Sequence, residues 1–126
     1  MKKSFLIIAL VAGLFACASC SNANSPEGVA KKAISALQKG DYETYASTFD
    51  LSESDQKWLA GIAEEKVDTE LNDKGGIQSF KITDCQMNGD DKAVVTVHLI
   101  YKNGEEEDEH MSYVKVDNQW KQKMNK

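Results

Sequence analysis

Hydrophobic residues in the first half of the chain recur every three or four positions, the spacing of amphipathic helices. The first helix is predicted to begin at Ser25-Pro26-Glu27, where a hydroxyl cap, a proline and an acidic residue follow one another. It is predicted to end at Gly40, because glycine commonly stops a helix. Its apolar stripe consists of Val29, Ala30, Ala33, Ile34 and Leu37.

Two further helices are predicted before residue 76. Asp41 caps a short one, and Ser52, with Asp55 three residues later, opens a longer one. The polar, glycine-containing stretch 72–76 ends the longer helix. The apolar positions of the short helix are Tyr42, Tyr45, Ala46 and Phe49, and those of the longer helix are Trp58, Leu59, Ile62, Ala63, Val67 and Leu71.

Beyond residue 76 the pattern changes to the two-residue alternation of strands. In the first strand Phe80 and Ile82 have one parity while Cys85 and Met87 have the other, so a bulge is expected near residues 83–84. The four predicted strands cover 77–87, 92–102, 105–116 and 119–124, with turns at 88–91, 103–104 and 117–118.

The order of these elements predicts an α+β domain, with three N-terminal helices packed on one face of a curved four-stranded antiparallel sheet. The second strand should show the sheet's two faces most clearly. Val95, Val97, Leu99 and Tyr101 form its more apolar face, which should pack on the helices. Val94, Thr96, His98 and Ile100 form the opposite face, which should point away from them.

Residues 1–16 have the composition of a bacterial export signal. Lys2 and Lys3 precede Phe5–Phe15, a stretch of eleven uncharged residues. As a helix this stretch would span roughly 16 Å, too little for a stable transmembrane helix. The sequence Leu14-Phe15-Ala16-Cys17 resembles the lipobox of bacterial lipoproteins, which implies cleavage before Cys17 and acylation of its thiol.

Two alternatives to this lipidation site stay open. Cys20 also follows a small residue, although a cysteine stands where leucine is expected, and Ala16 or Ala18 would suit an ordinary secretory cut. We assign residues 1–16 to a signal peptide, 17–24 to a short polar tether and 25–126 to the folded domain. This organisation predicts a bacterial cell-envelope protein, anchored by lipid and facing the periplasm or the cell surface.

The charge of the chain excludes nucleic acid as a partner. Its formal net charge is −5, and all 15 basic residues are lysine. Phosphate binding requires clustered cations and favours arginine. Removal of residues 1–16 would leave 13 lysines against 20 acidic residues, a net charge of −7, so lipid would be the only membrane contact.

Neither a metal nor a cofactor is expected. Cys17-x-x-Cys20 lies in the lipidation segment, and the chain shows no other pairing of cysteine and histidine at zinc-ligand spacing. A Cys20–Cys85 disulfide remains an alternative in an oxidising compartment.

Several of these motifs together resemble a family of small bacterial lipoproteins of unknown function, common in Bacteroidetes, that have the nuclear transport factor 2-like (cystatin-like) fold. The similarity covers about residues 25–124. The motifs are Ser25-Pro26-Glu27, the Val29–Leu37 stripe, Gly40-Asp41-Tyr42 and Asn118-x-Trp120-Lys121. The resemblance implies a cone, a bent sheet wrapped around helices, often with a pocket at its open end. Relatives with this fold include isomerases, dehydratases and proteins that only bind or dimerise, so the fold leaves the function open.

Two sets of residues are candidates for recognition. Aromatic residues that could line the mouth of the cone and receive an apolar or planar ligand are Tyr42, Tyr45, Trp58, Tyr101 and Tyr113. Residues of the outer sheet surface, through which relatives often dimerise, are Val94, His98 and Ile100.

No catalytic residue is assigned. Asp84, at the expected bulge, is the best remaining candidate for an acid or base, since Asp41 is used as a cap, but a surface position is expected for it. His110 is expected to be solvated, and the acidic run Glu105–Glu109 to form a solvated, mobile hairpin tip.

The sequence therefore predicts a non-enzymatic binding or interaction module, possibly paired as a homodimer. A filled cone favours a scaffold or protein-binding module, and an open cavity lined by Trp58 and tyrosines favours a carrier of a small ligand. A buried carboxylate or imidazole inside such a cavity favours an isomerase-like enzyme.

Overall fold

A computed structural model describes residues 25–124. The predicted signal peptide, the tether and both candidate lipidation sites, Cys17 and Cys20, lie outside the described residues. The helical elements are α1 Pro26–Lys39, α2 Tyr42–Ser47, α3 Glu53–Ile62, a π-helical segment Ala63–Val67 and α4 Asp68–Asp73. The strands are β1 Ile77–Met87, β2 Lys92–Tyr101, β3 Glu106–Val116 and β4 Gln119–Gln122.

The helices begin where the sequence predicts, because each predicted cap is formed. The Ser25 hydroxyl accepts from the amide of Gly28 at 3.0 Å. Asp41 and Ser52 accept from the amides three residues ahead, each at 3.2 Å. These contacts satisfy amides at the helix starts that have no partner within the helix. The third predicted helix runs from α3 through the π-helical segment into α4.

Gly40 ends α1 with φ of 75°, a left-handed conformation that strains any residue with a Cβ. We expect Gly40→Ala to lower the free energy of unfolding by about 1 kcal/mol. Gly61, in the interior of α3, is the matched control: a Cβ there meets nothing within 4 Å. Gly61→Ala should raise stability by about 0.5–1 kcal/mol, since alanine is the better helix former. Urea unfolding measures both, and equal effects would contradict the cap.

The sheet that residues 25–124 form has four antiparallel strands in the order β1-β2-β3-β4. The predicted bulge is confirmed, because the β1–β2 register shifts between Ile82 and Asp84. The shift brings Phe80, Ile82 and Cys85 to positions opposite the inward residues of β2, despite their different parity in sequence. Asp117 and Asn118, both with positive φ, form the tight turn between β3 and β4.

The main core lies between α1 and the inner face of the sheet. Tyr113, Val95 and Val97 are its largest fully buried side chains, and α1 contributes Val29, Ala30, Ala33 and Ile34. A second cluster, Tyr42, Ala46, Ala60 and Ala63, joins α2 to α3 and the π-helical segment. None of the helices within residues 25–124 is long and apolar enough to cross a membrane.

Candidate functional site

The five predicted pocket residues are distributed over different parts of the domain. Tyr101 and Tyr113 belong to the main core and Tyr42 to the second cluster, while half-buried Tyr45 packs against both. Trp58 is 58% exposed, and the structure does not bring it to the tyrosines. It precedes buried Ala60 by two residues, about 200° around the helix axis, so it points away from the core.

Tyr42 lines an open groove of about 800 Å³ between α2 and α3. Its hydroxyl donates to Asp68 at 2.8 Å. Burial and this hydrogen bond raise the pKa of Tyr42 to about 12, so it stays neutral and connects α2 to α4. The groove's charged lining is mainly acidic: Asp41, Glu43, Glu53, Glu64 and Asp68, with Lys57.

The acidic run at 105–109 is exposed except for half-buried Glu107, but most of it lies within a strand and not at the tip of the hairpin. The turn ends at Glu105, and Glu106 already begins β3. Alternation along the strand points Glu107 inward, where it accepts a hydrogen bond from Tyr101 and lies 3.7 Å from the Lys74 ammonium. Glu107 shares its parity with the buried residues Met111 and Tyr113, and this was the signal in the sequence that could have revealed it.

Glu109 is the next inward-facing acid on β3. Partial burial, followed by the charges of Glu107 and Glu70, raises the pKa of its carboxyl. The residue as a whole is nevertheless exposed. Water therefore screens the charges around the Glu109 carboxyl.

On the outer face of the sheet, strand register aligns side chains in rows across β1, β2 and β3. One row contains Lys81, His98 and Asp108, and the next contains Asp84, Thr96 and His110. The flanking rows place Ile100 beside Ser79 and Glu106, and Val94 beside Gln86 and Ser112. The predicted dimer-face residues Val94, His98 and Ile100 are all half-buried within this surface.

His98 is held between two carboxylates of β3, an arrangement that we call the His98 clamp. Its Nδ1 lies 2.7 Å from Asp108 Oδ1 and its Nε2 lies 2.8 Å from Glu106 Oε1. The hydrogen bond with Asp108, followed by that with Glu106, raises the pKa of His98. Ionised carboxylates only accept hydrogen bonds, so the clamp favours the imidazolium, in which both ring nitrogens donate.

The remaining candidate groups lie on this same outer face. His110 is exposed, and its Nδ1 is 3.0 Å from the Thr96 hydroxyl. Asp84, the candidate acid or base, is also exposed, as the sequence analysis expected, and lies away from the cone interior. Residues 25–124 contain no group of three or more histidine, cysteine or acidic residues placed to hold a metal ion.

Comparisons with known proteins identify the family and the fold. A family model described as a domain of unknown function (DUF4878) matches residues 18–123. A solved structure from Campylobacter jejuni, described as a candidate NTF2-like transpeptidase, is similar with a TM-score of 0.66 at 21% identity, covering 79% of this chain and 98% of its own. An NTF-2-like protein of unknown function from Shewanella oneidensis gives 0.53 at 19% identity, covering 75% and 88%.

These structures confirm the predicted nuclear transport factor 2-like fold. No curated protein sequence matches the chain. At such identities similarity establishes the fold alone, so the function has to be inferred from the chain's own surfaces.

Proposed function

The chain belongs to the DUF4878 family of domains of unknown function, and from this premise we propose that it is a lipid-anchored cell-envelope protein whose domain is a non-enzymatic interaction module. The module pairs with a second copy of itself through the outer face of the sheet. The charge and apolar pattern of that face, which is complementary to itself, carries the proposal.

The state of the inner face favours an interaction module over a carrier. Val95 and Val97 are fully buried, and Tyr113 is 2% exposed. Two of the predicted pocket residues, Tyr101 and Tyr113, are therefore already packed against protein. Trp58, which the carrier hypothesis requires inside the cone, points to solvent.

The same geometry weighs against an isomerase-like enzyme. Such an enzyme needs a titratable group inside an enclosed apolar cavity, where burial tunes its pKa. Glu109 is exposed to water, and Glu107 accepts a hydrogen bond from Tyr101 and lies beside Lys74. Both histidines lie on the outer face of the sheet.

Self-complementarity of the outer face follows from its rows. A two-fold axis that crosses β2 beside Val97 reverses the strand direction. It lays the His98 row over the Thr96 row of the second copy, and the Ile100 row over the Val94 row. Lys81 then faces Asp84 of the second copy, and Ile100 faces Val94. On β3, Asp108 faces His110. A two-fold interface repeats each contact, so the Lys81–Asp84 charge pair, the Asp108–His110 contact and the apolar pair each occur twice.

The anchoring part of the proposal is supported by the amino-terminal sequence. Residues 5–15 are apolar and too short to span a bilayer as a helix, and the lipobox-like Leu14-Phe15-Ala16-Cys17 overlaps the end of this stretch. Export would place the acidic domain in the periplasm or at the cell surface, with lipid as its membrane contact.

Charge exchange at Lys81 and Asp84 tests the pairing. Lys81→Asp places an aspartate opposite Asp84 of the second copy, and Asp84→Lys places a lysine opposite its Lys81. Each variant loses two ion pairs per dimer and gains two repulsive contacts, each worth roughly 0.2–1 kcal/mol. The dissociation constant should therefore rise about tenfold. The double variant should restore wild-type affinity, because the opposite charges have only exchanged places. Sedimentation over a concentration series measures the dissociation constants.

Lys32→Asp, the same charge change at an exposed position of α1, is the matched control and should leave dimerisation unaltered. A wild-type chain that stays monomeric at every concentration would overturn the pairing. If Lys32→Asp and Lys81→Asp raise the dissociation constant equally, the outer face of the sheet is not the dimer interface.

A further inference from the structure

We propose that pairing through the outer face is linked to protons by the His98 clamp: the dimer forms while His98 is charged and dissociates as the pH rises and His98 becomes neutral. This inference rests on the proposed function and adds its regulation. It follows from the position of the clamp, whose residues lie in two rows of the outer face, the face that the second copy is proposed to cover.

The geometry of the clamp depends on the charge of the imidazole. Asp108 is the direct cross-strand partner of His98, and Glu106 is the next outward-facing acid along β3. A neutral imidazole carries one proton, so one ring nitrogen would present a lone pair to a carboxylate less than 3 Å away. Loss of the proton therefore breaks one hydrogen bond and leaves two neighbouring carboxylates with no charge between them.

The groups that face His98 from each packed element decide the direction of the effect. From β1, Lys81 lies across from it and opposes its positive charge. From β3, Asp108 and Glu106 contact both nitrogens and favour the charge, while His110 lies one outward position beyond Asp108. On β2 itself the outward neighbours Thr96 and Ile100 carry no charge. The two contacting carboxylates outweigh the one lysine, in agreement with the raised pKa of His98.

The sign of the pH dependence follows from this direction. A histidine with a raised pKa keeps its charge above its ordinary value of about 6.5 and loses it as the pH rises through the raised value. Each copy then gains one net negative charge on the covered face, and the dimer gains two. Like charges at a covered face repel, so the dissociation constant rises with pH.

The whole chain contains two histidines, which permits a clean experiment. In His110→Gln, His98 is the one histidine left; the double variant His98→Gln/His110→Gln has none. The dissociation constant of each full-length variant, purified in detergent, is measured by sedimentation at pH 6, 7, 8 and 9. We expect His110→Gln to dissociate about tenfold more readily at pH 9 than at pH 6, because two clamps each contribute a factor of about three.

The double variant should show a pH-independent dissociation constant. Asp108→Asn in the His110→Gln background provides a second check that does not remove the imidazole. It deletes the strongest partner of His98, so dissociation should begin at a lower pH.

A dimer of His110→Gln whose affinity is the same at all four pH values overturns the proton linkage and leaves the pairing intact. A residual pH dependence in the double variant equal to that of His110→Gln also overturns it. A wild-type chain that is monomeric throughout the pH range overturns the pairing itself, and the linkage with it.

Discussion

Replacing Trp120 by alanine is expected to lower the free energy of unfolding by about 3–5 kcal/mol, the usual cost of removing a large aromatic side chain from a core. Trp120 is 6% exposed and belongs to the main core cluster. On β4 it pairs with Lys115, whose ammonium lies 5.9 Å from the centre of its ring. The substitution removes both the buried area and this cation–π contact.

Trp58→Ala is the matched control, since it makes the same chemical change at a position that is 58% exposed. We expect a change within about 0.5 kcal/mol, because the side chain loses little buried surface. Guanidinium unfolding followed by circular dichroism measures both variants. Equal losses at the two positions would show that Trp58 is buried by contacts other than those described.

The starts and ends of the elements could be predicted because they depend on neighbours in sequence. Ser25, Asp41 and Ser52 each accept a hydrogen bond from the amide three residues ahead, and the residue types at such short spacing predict this contact. The bulge was predictable for the same reason, since the apolar parity changes within β1 and one face of the strand has to stay buried.

The orientation of the third helix could be predicted only in part from its apolar residues. The predicted position Ala63 is buried, and Leu59 and Val67 pack against the same cluster. Trp58, however, is exposed, and Ala60, which the sequence analysis did not select, is buried. The small side chains of Ala60 and Ala63 let this helix approach α2 closely, as the cluster that it shares with α2 shows. A search for helical periodicity that gives more weight to large apolar residues does not identify a helix face that packs through alanines.

The His98 clamp could not be predicted because it depends on strand register. The sequence indicated that His98 faces outward, and this is confirmed, but its pairing with Asp108 requires the alignment of β2 with β3. The same alignment places Glu107 beside Tyr101. A run of five acidic residues therefore divides between the two faces of the sheet, although by composition alone it resembles a uniform solvated patch.

That division assigns the two faces different roles. Of the inward acids, Glu107 accepts a hydrogen bond from Tyr101 and lies beside the Lys74 ammonium, whereas Glu109 is exposed. Two outward acids, Asp108 and Glu106, contact His98 and raise its pKa. The histidine whose protonation these acids favour thus lies on the surface where a second copy is proposed to bind. The proposed pairing and its proposed pH dependence therefore concern the same residues.

Substituting Cys17 by serine is expected to release the protein from the membrane completely when the variant is expressed in its native host. Serine has no thiol to acylate, and residues 5–15 are too short to replace the lipid as a stable span. Since each buried CH₂ contributes about 0.8 kcal/mol, two or three acyl chains bind a bilayer firmly, whereas none leaves this acidic domain without a membrane contact.

Membrane fractionation together with intact-mass analysis measures this outcome, and Cys20→Ser is the matched control. The wild-type chain and Cys20→Ser should both pellet with membranes, begin at residue 17 and carry fatty acyl mass, while Cys17→Ser carries none. The opposite result, with lipid lost in Cys20→Ser and kept in Cys17→Ser, would move the anchor to Cys20. A wild-type chain that retains Met1 and carries no acyl group would contradict the anchor, the cleavage and the envelope location together, because all three depend on the same thiol.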